Sequence, residues 1–266
     1  MDWKVELEEK GYVVIPGILS AKECARHVKK LSATMKNVVK DGEWESFVET
    51  RAPNGVIHGL DNLRTLWEVR SNPAITSLFQ ELYGPEESLY LYIDRFNYRP
   101  PKLPLPFHCA WHIDENPFCP QSDYQGFVSL TNITPKDACL GILEKSHWHV
   151  KEAIERFGPF TQDQYDWFVQ KGCVERRVAT PAGSLVIWNS GCVHNPLNSL
   201  RETPRRRVVA YVRYFPTYRL PFEYRQYALR TYPEYIGKKG IDCLSSEEIM
   251  QDYPFLIKGT IHHHAS

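Results

Sequence analysis

The sequence predicts a mainly β protein, a sandwich or barrel with flanking helices, on the strength of three observations. From residue 88 onward the chain breaks into short runs rich in Tyr, Phe, Val and Ile, separated by Pro, Gly, Asn and Ser. Those runs do not alternate with helical patterns in the strand–helix–strand rhythm of a parallel sheet. A length of 266 residues suits an all-β core with helical additions as one unit.

The chain opens as a helix, a short strand and a second helix. GYVVIPGIL (11–19) is an apolar, β-branched run closed by Pro16 and Gly17. Ser20 follows, with Glu23 three residues on. In that pattern each side chain satisfies a free backbone N–H of the other at a helix start, so residues 21–40 are expected to be helical. RSNPAITSLFQELYG (70–84) predicts another helix, entered through Asn72-Pro73 and stopped by Gly84. SLYLYIDRFNYR (88–99) and QGFVSLTNIT (125–134) read as strands. VERRVATPAGSLVIWNSGCVH (174–194) reads as two strands joined by a Pro-Ala-Gly turn, and RRRVVAYVRYF (205–215) as a further strand. Helical character returns near 150–171. The expected organisation is one domain spanning residues 1–266: a helical N-terminal region (residues 1–87), a β core (88–216) and an extension (217–266). In the extension, PFEYRQYALRTYPEYIG suits a lid, an oligomer contact or a packed tail.

Charge removes some functions. Lysine plus arginine and aspartate plus glutamate number 32 each, so no net field attracts nucleic acid or an anionic membrane. No run reaches the roughly 20 apolar residues that span a bilayer, and MDWKVELEEKGY is charged, unlike a secretory leader. Seven cysteines, an odd number without a C-x-x-C pair, fit free thiols in a reducing cytosol. A cytoplasmic protein acting on a small molecule is expected, with its oligomeric state open.

The chemistry concentrates in FHCAWHIDENPF (107–118). On a strand, His112 and Asp114 face the same side and converge on one ion. His194, in the turn SGCVHNP after the strand SLVIW, supplies a third ligand. One carboxylate and two imidazoles occupy one face of an octahedron. Three positions then stay open for a bidentate cosubstrate and dioxygen, an arrangement suited to Fe(II), whereas thiolates favour zinc or clusters. An isolated H-x-D is common by chance and by itself marks a hydrogen-bonded histidine and a turn-forming aspartate. Arg205 stands eleven residues after His194. A guanidinium there takes a carboxylate bidentately, which lysine does less well. By alternation Arg205 and Arg207 share a face and Arg206 takes the other. Arg205 is taken as the anchor, a solvated edge being the other reading of the run. His108, His147 and His149 read as loop, structural or surface residues. Trp111 and Trp188 read as core packing first and pocket wall second.

Most of the chain, from about residue 8 to about 216, resembles the phytanoyl-CoA dioxygenase-like branch of the Fe(II)/2-oxoglutarate oxygenases. EEKGYVVIPGILSAKEC is similar to the family's opening, FNYRPP to the strand before the metal motif and WHIDENP to its His-x-Asp. SLTNITPKDACLGILEKSHWH, PAGSLVIWNSGCVHNPLNS and TPRRRVVAY follow in the family's order. The resemblance implies a double-stranded β-helix (jelly roll, cupin-like) core with helices packed on one side. It implies Fe(II) on His112, Asp114 and His194, with the 2-oxoglutarate tail on Arg205. Asn97 and Arg99 fall where the family lines its cosubstrate or substrate pocket, and Thr131 where it hydrogen-bonds 2-oxoglutarate; ordinary strand roles are the alternative for these three. The implied reaction uses dioxygen to hydroxylate an unactivated C–H bond of a small molecule, with succinate and CO2 as coproducts. Desaturation, cyclisation or epimerisation by the same cofactors is the alternative, as is a non-catalytic jelly-roll binding protein. The sequence departs from the pattern at Ala138-Cys139, Lys145-Ser146-His147 and Asn195-Pro196. It keeps Asp114, unlike the halogenase variant.

Overall fold

Local signals set the first third of the chain. α1 (Trp3–Lys10) ends at Gly11, whose φ of 84° is open to glycine. β1 (Tyr12–Ile15) follows, then α2 (Ala21–Val38). Ser20 and Glu23 form the expected reciprocal cap, with Ser20 N–H donating to the Glu23 carboxylate at 2.8 Å. The computed structural model describes residues 2–39, 43–92, 95–103, 110–114, 123–219 and 241–252. Two short helices, α3 (Trp44–Arg51) and α4 (Arg64–Arg70), precede α5 (Pro73–Tyr83), which starts after Asn72 and stops at Gly84. α3 and α4 have no side-chain cap, so they carry no local start signal; α4 is held by burial of Leu66, Trp67 and Val69.

The β core comprises β2 (Val56–Ile57), β3 (Leu89–Tyr92), β4 (Phe96–Arg99), β5 (Tyr124–Ser129) and β6 (Cys139–Glu144). It continues, after helices α6 (Val150–Phe157) and α7 (Tyr165–Gln170), with β7 (Val174–Val178), β8 (Leu185–Asn189), β9 (His194–Leu197) and β10 (Arg207–Pro216). The larger sheet runs β1-β8-β5-β10-β4-β2, with β3 also on β10; the smaller runs β7-β6-β9. Each pairing of named strands is antiparallel.

Alternation along the large sheet sorts its side chains into two layers. Phe127, Val186, Trp188 and Val209 pack with Leu140, Ile142 and Val178 of the small sheet, forming a core between the sheets. Val128, Leu185, Ile187, Val208, Ala210 and Tyr214 face the other way and join Leu31, Trp67 and Phe79 of the helices. Two antiparallel sheets closing on one inner layer, with helices against the outer face of one, make a double-stranded β-helix.

Several elements differ from the sequence expectation. Residues 88–99 form two strands rather than one, both paired to β10. The two strands expected on either side of Pro-Ala-Gly are present, and they enter different sheets, β7 the small and β8 the large. Gly183 turns the chain between them at φ 82°, where a Cβ would collide with the Leu19 carbonyl. β6 is buried along its whole length, so it has no alternation to read. β10 begins at Arg207, two residues later than expected. In the extension, α8 (Ser246–Asp252) is tied to Arg64 through Glu248 at 2.9 Å. The Tyr- and Arg-rich stretch before it lies outside the described residues. None of the described helices is long and apolar enough to cross a membrane.

Candidate active site

β9 begins at His194, and the backbone of His112 is an extra rung against it. His112 N–H donates to the His194 carbonyl at 3.0 Å and His194 N–H to the His112 carbonyl at 2.9 Å. His112 therefore lies on an isolated bridge and Asp114 on a bend, not on the continuous strand expected for the H-x-D pair. His194 opens a strand rather than sitting in a turn. The convergence arises instead from the bridge, which sets the two imidazoles 4.4 Å apart between centroids.

Both rings are oriented alike. His112 Nδ1 is 2.9 Å from the Ala110 carbonyl and His194 Nδ1 is 2.9 Å from that of Cys192. A carbonyl only accepts, so each Nδ1 carries a hydrogen and each Nε2 is the ring nitrogen left to face the third residue. Those nitrogens meet Asp114: His112 Nε2 is 3.6 Å from Oδ1 and His194 Nε2 is 3.3 Å from Oδ2. Burial raises the Asp114 carboxyl, but the His194 contact, the Gln125 amide and His112 together hold it well below the usual carboxylate range. Burial and the neighbouring His194 lower the His112 imidazolium. The set is thus an ionised carboxylate facing two imidazole Nε2 atoms, the donor types of a metal site. One donor atom from each residue falls within 4.8 Å of the others. Ligands about 2.1 Å from a shared ion sit roughly 3 Å apart, so the spacing fits one ion.

The triad lines a cavity of about 250 Å³ between the two sheets. Arg207, the first residue of β10, also lines it and is only 4% exposed. Its Nε and Nη1 have no hydrogen-bond partner among the described residues, and its guanidinium lies 5.8 Å from the Phe127 ring. Directly across the strand pair stands Arg99. Burial, then the Arg207 charge, pushes the Arg99 guanidinium down to about 9. The buried Arg207 guanidinium on the cavity wall is a place for an anion, so the residues present fit a carboxylate as well as a metal.

The placement of Arg205 corrects its expected role. Alternation cannot put it on the cavity face, because the strand starts only at Arg207. Arg205 is half-exposed, 3.6 Å from the Asp137 carboxylate, and shares a separate open groove with Thr131. Thr131 is likewise away from the cavity; its hydroxyl accepts the Val208 N–H at 3.1 Å and so caps the start of β10. Asn97 does line the cavity: its amide donates to the Asn54 carbonyl at 3.0 Å, leaving Oδ1 without a partner among the described residues. Arg99 is buried beside Gly55 and is absent from the described cavity wall.

Trp188 lines the cavity 5.6 Å from the His194 ring, whereas Trp111 packs on Tyr165. His147 donates to the Glu8 carbonyl and His149 packs edge-on to Trp167. His108 lies outside the described residues. Sequence reasoning overlooked Gln125, whose amide donates to Asp114 Oδ2 at 2.9 Å. No motif spacing marks an amide on a strand.

The fold and donor set are those of a non-haem metal oxygenase. A profile of the phytanoyl-CoA dioxygenase (PhyH) family matches residues 7–206, and the chain belongs to that family of Fe(II)- and 2-oxoglutarate-dependent enzymes. It is 22% identical over 220 residues to Ava biosynthesis cluster protein O of Aspergillus versicolor, covering 73% of this chain and 71% of that one. Among solved structures, AviO1 from Streptomyces viridochromogenes Tue57 superposes with a TM-score of 0.59 at 14% identity, over 83% of this chain and 97% of that one. HygX from Streptomyces hygroscopicus, with nickel, 2-oxoglutarate and hygromycin B bound, gives a TM-score of 0.53 at 14% identity, over 82% and 87%.

Proposed function

We propose that this enzyme hydroxylates an unactivated C–H bond of a small molecule, with succinate and CO2 as coproducts. In this reading Fe(II) is held by His112 Nε2, His194 Nε2 and the Asp114 carboxylate, and Arg207 rather than Arg205 takes the distal carboxylate of 2-oxoglutarate. The observation that carries it is the buried Arg207 guanidinium on the same cavity wall as the triad, with Nε and Nη1 unpartnered among the described residues. When bound, the metal and the keto acid supply the oxygen activation.

The chain's own residues supply placement. The carbonyls of Ala110 and Cys192 hold the imidazoles as the tautomers that donate through Nε2. Arg207 offers two hydrogen bonds in a fixed fork, which orients the keto acid along the cavity. Asn97 Oδ1 remains as an acceptor on the same wall. At about 250 Å³ the cavity is below the usual ligand-pocket range of roughly 300–1,000 Å³, so it suits the keto acid and the reacting end of a substrate. The hygromycin B bound by HygX supports a small-molecule substrate.

The test is succinate release from purified protein supplied with Fe(II), 2-oxoglutarate and a metabolite library, followed by mass analysis of stimulated wells. A substrate that stimulates release and gains one oxygen atom is expected. D114A should abolish both; undiminished coupled turnover in D114A would sink the assignment.

A further inference from the structure

We propose that Gln125 is a positioning residue that sets the rotation of the Asp114 carboxylate and keeps it a one-oxygen ligand, an inference that rests on the metal-site reading above. Gln125 lies on β5, held in register against Trp188 of β8, and lines the cavity beside the triad. Its Nε2 donates to Asp114 Oδ2 at 2.9 Å, closer than either histidine nitrogen approaches that carboxylate.

Asp114 needs such a partner more than the histidines do. His112 and His194 hold each other through two main-chain hydrogen bonds, and each ring is fixed at Nδ1 by a carbonyl. Asp114 stands on a bend beyond that rung, with its side chain 39% exposed. Apart from the two histidines, Gln125 is its side-chain partner among the described residues.

The chemistry gives the contact its consequence. A carboxylate that turns freely offers both oxygens, and some cations accept both. Two-oxygen attachment here would fill a fourth coordination position and leave two, whereas a bidentate keto acid plus dioxygen needs three. An amide N–H on Oδ2 fixes the carboxylate plane and draws on the charge of that oxygen, which favours Oδ1 as the donor. An amide also suits the task because it is neutral. An arginine or lysine at this place would compete with the metal for the carboxylate charge.

The test is Co(II) titration of the full-length, metal-free protein, comparing the native chain with Q125L, Q125M and D114A. Three quantities are read: the Co(II) dissociation constant, the Co(II) visible absorption spectrum and the melting temperature of the metal-free protein. Loss of a partner that orients a metal ligand costs about 10–100-fold in affinity. Q125L and Q125M should therefore bind about 10-fold more weakly or worse and show an altered cobalt spectrum, at unchanged metal-free melting temperature. Q125M keeps the side-chain length and decides the matter if Q125L does not fold. A native cobalt spectrum and affinity in the folded variant overturns the role of Gln125 alone. Equal Co(II) binding by D114A and the native chain overturns the metal site, and this inference with it.

Discussion

The main chains of His112 and His194 are hydrogen-bonded to each other in both directions, at 3.0 and 2.9 Å. Two candidate ligands far apart in the chain are thereby fixed by one rung of backbone. Truncating either ring leaves the rung in place. H112A and H194A should each lower metal affinity by at least about two orders of magnitude, more than loss of an outer partner. Their effects on the metal-free fold should differ. His194 is 5% exposed and packs on Trp188, so H194A should cost about 1–2 kcal/mol. The His112 side chain is 35% exposed, and H112A should stay within about 0.5 kcal/mol of native. Urea unfolding of the metal-free variants measures the difference.

Under the proposed function Arg207, and not Arg205, anchors the cosubstrate. Hydrogen bonds to a charged group contribute roughly 1.5–3 kcal/mol, so R207M should raise the KM for 2-oxoglutarate by about 10–150-fold. R205M should leave it within about twofold, because Arg205 faces Asp137 at the surface. Without cosubstrate, R207M should also be no less stable than native. It removes one of two adjacent buried charges, and replacing uncompensated buried charge with apolar volume is often stabilising. A destabilised R207M with an unchanged KM would mark Arg207 as a structural arginine.

These residues show what the sequence made readable. Helix starts at Ser20 and Asn72 and the stop at Gly84 are local chemistry, and the structure repeats them. The two histidines and Asp114 stand out in the sequence because their ligand types are rare in combination, and the structure brings one donor atom of each within 4.8 Å of the others. The sequence points to Arg205 rather than Arg207 as the residue on the cavity face because a strand start is not a local property. It is fixed where Arg207 pairs with Arg99 and where Thr131 takes the Val208 N–H, both long-range contacts. β6 escaped because a strand buried on both faces carries no period. Gln125 escaped because its role exists only through a side chain on another segment.

Arg70 links the helical layer to the cavity wall. It is fully buried at the end of α4, and its guanidinium donates to the carbonyls of Tyr211 (2.9 Å), Asp61 (2.8 Å) and Arg95 (3.0 Å). Tyr211 and Arg95 both line the cavity. R70M fills similar volume but takes the donor from three part-buried carbonyls, each costing up to about 1–3 kcal/mol. A loss of about 3–5 kcal/mol is expected by urea unfolding. R70K should recover some of it, since an ammonium cannot span three carbonyls from one position.

His27 should make stability depend on pH. It is 1% exposed on α2, with Nδ1 2.8 Å from the Thr65 hydroxyl. Burial, and next the charge of Arg26, lowers its pKa; Glu68 and Glu23 raise it and Lys30 lowers it. The folded state thus binds the proton less readily than the unfolded chain, whose histidine titrates near 6.5. Above that pH the neutral ring is present in both states and the full contribution of its packing is kept. As pH falls below about 6.5 the unfolded chain takes up the proton first, so stability declines towards the folded pKa. His112 and His147 shift in the same direction, so the native slope alone does not isolate His27. The comparison is metal-free H27Q against metal-free native protein, by urea midpoint from pH 7.5 to 5.0, a range chosen to bracket the histidine titration near 6.5. H27Q should have the shallower decline below pH 6.5, and parallel curves would show that burial of His27 does not depress its proton affinity.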